Sequence, residues 1–129
     1  MFYIKSIKIL IALSLTLCLF CTSCEWKEYN PNVSGIENIS FSQDIIPIFN
    51  QSCNSIGCHN NGGITPNLSA ENAFQDLRNK NMLDLDNPPN SVIYKRMTDV
   101  QNPMPISGIL SEKIQRTILV WIEEGAKDN

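Results

Sequence analysis

Three regimes of hydrophobic and polar patterning succeed one another along the chain. Ile9 to Phe20, ILIALSLTLCLF, is a nearly unbroken apolar run with Lys5 and Lys8 ahead of it. Its length of about a dozen residues matches a secretory h-region, typically ~7–15, and falls short of the ~20 a spanning helix needs. Glu25 to Ser40, EWKEYNPNVSGIENIS, shows no period and is interrupted by Pro31 and Gly35. It predicts a tether whose roughly 16 residues span on the order of 20 Å as a flexible coil. From Phe41 onward, apolar residues return at helical spacing.

Phe41, Ile45, Ile48 and Phe49 form the first stripe, with Ser42 or Asp44 as the cap. If Asp44 is the cap, Pro47 falls in the first turn, where an amide has no intrahelical partner to lose. Leu68 and Ala73 occupy staple positions around Ser69 as N-cap, and Phe74 and Leu77 continue that stripe. After the turn-rich DLDNPPN, the run from Ser91 to Met97 predicts one or two helical turns. The last helix has the clearest signals. Ser111 caps it, Ile114, Ile118, Trp121 and Ile122 share one face, Lys113 and Arg116 the other, and Gly125 stops it. No strand alternation longer than four residues and no internal repeat occurs, so the expected class is all-α with long connections.

Composition changes the picture mainly at the N-terminus. The apolar run ends at CTSC, where Thr22 and Ser23 precede Cys24. This resembles the lipobox of bacterial lipoproteins, in which the signal is cut before a cysteine that is then diacylated. The expected organisation is a lipoprotein signal peptide over 1–23, a flexible tether over 24–40 with Cys24 lipidated, and one domain over 41–129. Uncleaved anchoring and plain secretion are the alternatives. Cleavage removes two lysines and no acid, moving the formal net charge from −3 to −5. Nothing basic or aromatic-interleaved points to nucleic acid. A core of this size is modest, and small exported domains commonly add a disulfide, metal or cofactor.

Of five cysteines, only Cys53 and Cys58 remain beyond Cys24, beside His59, the one histidine of the chain. Exported proteins rarely keep free thiols, so the stretch CNSIGCHNNGG needs an occupant for both. The haem-attachment spelling is C-x-x-C-H; here the spacing is longer by two. On a regular helix that places the cysteines about 140° apart rather than about 60°. A haem therefore requires the loop to bulge, and Gly57 is best able to take the necessary dihedrals. A Cys53–Cys58 disulfide has no geometric bar. Zinc would need a fourth ligand from a carboxylate, and a Cys–His nucleophile lacks an orienting third group.

Two blocks, FSQDIIPIFNQSCNSIGCHNNGGITPNLS and NPMPISGILSEKIQRTILVWIEEGAKDN, together resemble small class I-type c cytochromes, especially lipoproteins of the Bacteroidetes kind. The resemblance runs from Phe41 to the C-terminus and is loose from Asn79 to Gln101. It implies a cytochrome c-like fold of about four helices around one covalent haem c. Cys53 and Cys58 would be the thioether cysteines and His59 the proximal ligand. Pro66 would supply the carbonyl that accepts the other imidazole N–H, and Met104 would be the distal ligand. The terminal helix, with Trp121 inward as a core residue, would pack against the first helix near one haem edge. The long cysteine spacing departs from the usual pattern.

Independent chemistry also singles out Met104. Methionines on helix faces are ordinary core filler, as Met82 and Met97 can be, whereas Met104 lies between Pro103 and Pro105 outside any stripe. Met97 is the second candidate.

The resemblance implies a non-enzymatic electron carrier, membrane-anchored in the periplasm or at the cell surface, with no small-molecule substrate. The alternatives are a surface binding module closed by a Cys53–Cys58 disulfide, and a haem sensor or subunit of a larger assembly. The acidic surface favours redox partner proteins bearing a basic patch. Association should then weaken steeply as ionic strength rises over roughly 0.01–1 M; a salt-independent affinity would exclude that mode of docking.

Overall fold

The computed structural model describes residues 34–129; the expected signal segment, Cys24 and the first part of the tether lie outside them. Among the described residues every regular element is helical and there is no strand, as the absence of alternation implies. A π-helical turn, Phe41–Ile45, runs into α1, Ile46–Ser52. Then follow α2 (Ala73–Asn79), a 3-10 turn (Pro88–Asn90), α3 (Val92–Thr98) and α4 (Glu112–Glu123). No helix among the described residues is long and apolar enough to cross a membrane.

The first helix starts differently from expectation. Ser40 is its cap, rather than Ser42 or Asp44: the Ser40 hydroxyl accepts from the Gln43 amide at 3.2 Å, and Asp44 Oδ2 accepts from the Ser40 amide at 2.8 Å. This is a capping box stretched by one residue. Pro47 supplies the physical reason for the wide turn. Its ring would clash with the carbonyl four residues back in an α-helix, and the Ile46 amide bonds instead to the Phe41 carbonyl, five back.

Chain segments remote in sequence close this helix end. Asn129 Oδ1 accepts from the Phe41 amide at 2.8 Å, and the Asn129 backbone oxygen accepts from the Ser42 amide at 2.9 Å. The Glu124 carboxylate accepts from the amides of Asn38 and Ile39. Ile39 is buried in the core and Ile36 packs against it. The C-terminal end of the stretch expected as tether, 24–40, therefore packs with the domain: Asn38, Ile39 and Ser40 are held by hydrogen bonds to the opposite terminus, and Ile36 packs against the core.

Two further caps differ in detail. Ser69 does not cap α2 with its hydroxyl, which accepts from Asn72 Nδ2; its carbonyl receives the Asn72 and Ala73 amides, and α2 begins at Ala73. Ser91 precedes α3, but its buried hydroxyl takes the Asp84 amide at 2.9 Å and so ties down the preceding turn.

α4 follows expectation closely. The Ile114 amide reaches the Ser111 hydroxyl at 3.5 Å. At the other end Gly125, with φ +95°, sends its amide to the Ile122 carbonyl, and Ala126 sends its own to Trp121. That pair of bonds is a Schellman motif, and the C′ residue needs a positive φ, which suits glycine. Beyond the expected stripe, Leu119 and Val120 are buried too, so the second half of α4 is enclosed nearly all round.

The core is organised around Phe41. Its ring stacks on Trp121 at a centroid distance of 5.1 Å and meets Phe74 and Phe49 edge-on at 5.5 and 6.4 Å. Trp121 is fully buried and its indole N–H donates to the Lys127 carbonyl at 2.9 Å. Burying an aromatic side chain of this kind removes ~150–250 Å² from water, worth roughly 4–6 kcal/mol. Trp121→Ala is expected to lower the stability of the folded chain by about 3–5 kcal/mol, read from the midpoint of urea unfolding; a loss under about 1 kcal/mol would contradict this packing.

Candidate functional site

The loop after α1 fixes how the chain runs between the two cysteines. Cys53 is the C-cap of α1, its amide still bonded to the Phe49 carbonyl at 2.8 Å. The Cys58 amide donates to the Ser55 carbonyl at 2.9 Å, closing a four-residue turn over 55–58. Gly57 occupies its third position with φ +82°, the dihedral that a type II turn demands there. Ile56, at the tip, is 98% exposed. The His59 amide then returns to the Cys53 carbonyl at 3.1 Å. The additional residues are thus folded outward as a closed excursion, and the chain resumes beside the point it left.

His59 is held from its far side. Its Nδ1 lies 3.0 Å from the Pro66 carbonyl oxygen and 3.1 Å from that of Ile64. Both oxygens only accept, so Nδ1 carries the proton, and in the neutral ring Nε2 keeps its lone pair. Nε2 has no hydrogen-bond partner among the described residues. Backbone bonds reinforce the arrangement: the Leu68 amide reaches the His59 carbonyl at 2.7 Å and the Ile64 amide that of Cys58 at 2.6 Å. Gly63 fits where no Cβ could, against the Cys58 carbonyl and Asn60 Oδ1.

These groups border a cavity of about 570 Å³, within the ~300–1,000 Å³ of cofactor-sized pockets. Cys53, Cys58, His59, Pro66 and Met104 all line it, although Met104 comes from a segment far along the chain. The remaining wall is largely apolar, with Phe49 from α1, Leu77 from α2, Ile93 and Met97 from α3, Leu110, and Ile118 from α4. Trp121 does not line it; its ring stacks on Phe41, and Ile118 is the wall residue from α4.

Met104 is half-buried, and its amide donates to the Arg96 carbonyl at 2.9 Å, pinning the Pro103–Pro105 segment to the end of α3. Met97 is buried in the core while also lining the cavity, and Met82 lines it as well. The Asp99 carboxylate, which follows α3, accepts from the amides of Gln101 and Asn102 at 2.8 and 3.1 Å. Those two bonds, aided by Arg96, hold its carboxyl below the usual carboxylate range. Arg96 was not legible as a wall residue, since nothing in the linear sequence separates it from Lys95.

Cys53 and Cys58 are both half-buried. Burial, with a smaller contribution from Cys58, pushes the Cys53 thiol up from 9.0 to about 11. No three His, Cys, Asp or Glu side chains among the described residues are grouped around a common point. Comparison with protein-family models, curated proteins and solved structures returns no match.

The shifted thiol gives a pH dependence. The folded state binds the Cys53 proton more tightly than the unfolded state, so this contribution to stability is complete below pH 9.0 and is lost as the pH rises toward about 11. With both thiols free, the thermal midpoint should fall more steeply across that window than in Cys53→Ser; identical slopes would refute it.

Proposed function

We propose that the protein is an electron carrier built on one covalent haem c in a cytochrome c-like fold. The observation that carries this is the meeting of two thiols, an imidazole with a bare Nε2 and a proline-flanked methionine on a single apolar cavity. A disulfide-closed binding module would use the two cysteines alone and leave the tautomer of His59, the cavity and the position of Met104 without a purpose.

The residues fit the group. Cys53 and Cys58 would hold it as thioethers, His59 Nε2 and Met104 Sδ would be its axial ligands, and Met97 is the second candidate for the latter. When bound, the haem supplies a one-electron ferrous/ferric couple. The chain's own part is to orient and tune. The Pro66 and Ile64 carbonyls fix the His59 tautomer and make the ring a stronger donor. Pro103 and Pro105 stiffen the strip that presents Met104, and a methionine ligand raises the potential. The apolar wall excludes water and lowers the local dielectric. Were His59 and Met104 both to ligate the iron, no position would be left for a substrate, which favours electron transfer over catalysis. Export, lipid attachment through Cys24 and docking on basic redox partners complete the proposal.

Mature protein made with haem-maturation machinery should be coloured, and its intact mass should exceed that of the chain and any lipid by one haem, with both thiols consumed. Met104→Ala should lower the potential, within the roughly 0.8 V range that axial ligands govern, and let the ferrous form bind carbon monoxide. Colourless protein with Cys53 joined to Cys58 would overturn the proposal.

A further inference from the structure

Among the side chains lining the cavity, all but one are apolar, neutral-polar or the thiols and imidazole already assigned. The exception is Arg96, the single Lys, Arg, Asp or Glu on that wall. Its side chain is 47% exposed, so it lies where the cavity meets solvent. The nearest carboxylate oxygen, Asp99 Oδ2, is 4.0 Å away, beyond hydrogen-bond range. The other Asp99 oxygen is committed to the amides of Gln101 and Asn102. Arg96 makes no side-chain hydrogen bond among the described residues, and its guanidinium therefore has a fork of donors to offer.

Arg96 is the one cation on an otherwise largely apolar wall and its only ion-pair partner, Asp99, is held at 4.0 Å, so it has donors free for an amphipathic ligand whose acidic substituents lie at the cavity mouth. A planar fork of N–H groups suits a carboxylate better than any other ligand group the cavity would meet. Resting on the haem proposal above, we infer that Arg96 is the residue that pairs with a propionate of the haem and so positions that edge at the cavity mouth.

The pairing has a definite electrical sign. Ferric haem carries one more positive charge than ferrous haem. An unpaired propionate stabilises the ferric state, and a guanidinium beside it cancels that effect. Arg96 therefore holds the potential up, in addition to anything Met104 does. The main chain of the same residue anchors Met104 through the Arg96 carbonyl. A substitution that alters only the side chain leaves that bond in place, so charge and ligation can be separated.

The test uses matured holoprotein and its midpoint potential, with the ferric absorption band of methionine-ligated haem as a check on ligation. Arg96→Gln should keep the band and shift the potential down. Arg96→Lys, which also serves if the glutamine variant does not accumulate, should stay closer to the parent because it keeps the charge. Asp99→Asn, which removes the competing anion, should shift the potential up. Lys95→Gln, one residue away and off the wall, should change little. An Arg96→Gln protein with the band intact and the parental potential overturns the inference. So does Arg96→Lys falling as far as glutamine, or Lys95→Gln falling equally. Those outcomes leave the haem itself standing; a colourless parent protein instead overturns the haem and the inference together.

Discussion

The arrangement of the site depends on the hydrogen bond between His59 Nδ1 and the Pro66 carbonyl, 3.0 Å long and shared with Ile64. A free imidazole has two nitrogens and two neutral tautomers, and it rotates about two bonds. Here one nitrogen is consumed by groups that can only accept. The ring is left with a single orientation and a single available lone pair. Everything else near the cavity either builds the loop that brings those carbonyls round or supplies the wall opposite.

That loop is rigid for reasons other than sequence regularity. The Cys53 carbonyl receives the His59 amide and the His59 carbonyl receives the Leu68 amide, so the chain between is stapled at both ends. Asn54 adds a side-chain bond from Nδ2 to the Leu68 carbonyl at 2.7 Å. Gly63 packs where a methyl group would strike the Cys58 carbonyl. Such a loop can present two thiols and an imidazole with little entropy left to lose on ligand binding. The turn over 55–58 leaves this frame undisturbed because it projects outward and returns. The four residues between the cysteines are thereby accommodated within one local turn.

The scaffold behind the loop is a small aromatic core clamped by its own termini. Phe41 touches Trp121, Phe74 and Phe49, which ties the start of the domain to α4, α2 and α1. Glu124 and Asn129 then satisfy amides over residues 38–42 that a helix start would otherwise leave to water. In a domain this small, where apolar burial is limited, those bonds decide where the domain begins. Phe49 belongs both to the aromatic cluster and to the cavity wall, so stability and site are coupled through it.

Sequence alone determined what short-range physics controls. The Ser111 cap, the α4 stripe and the Gly125 stop follow from a 3.6-residue period and from dihedrals that glycine adopts easily. So do the lack of strands among the described residues and the turn at Gly57. The chemical inventory of the site, from Cys53 to Met104, was legible because those residue types are scarce in this chain and sit in conspicuous surroundings. Tertiary structure decided whatever requires segments to meet. The packing of residues 38–41 onto the domain depends on Glu124 and Asn129, more than 80 positions away. Trp121 belongs to the stack and Ile118 to the cavity wall because helix α4 presents them to different neighbours. Arg96 faces the cavity while Lys95 does not, a distinction that the polar letters themselves do not encode. A local pattern fixes which way the backbone turns; only the packed chain sets which groups are left facing one another across a space.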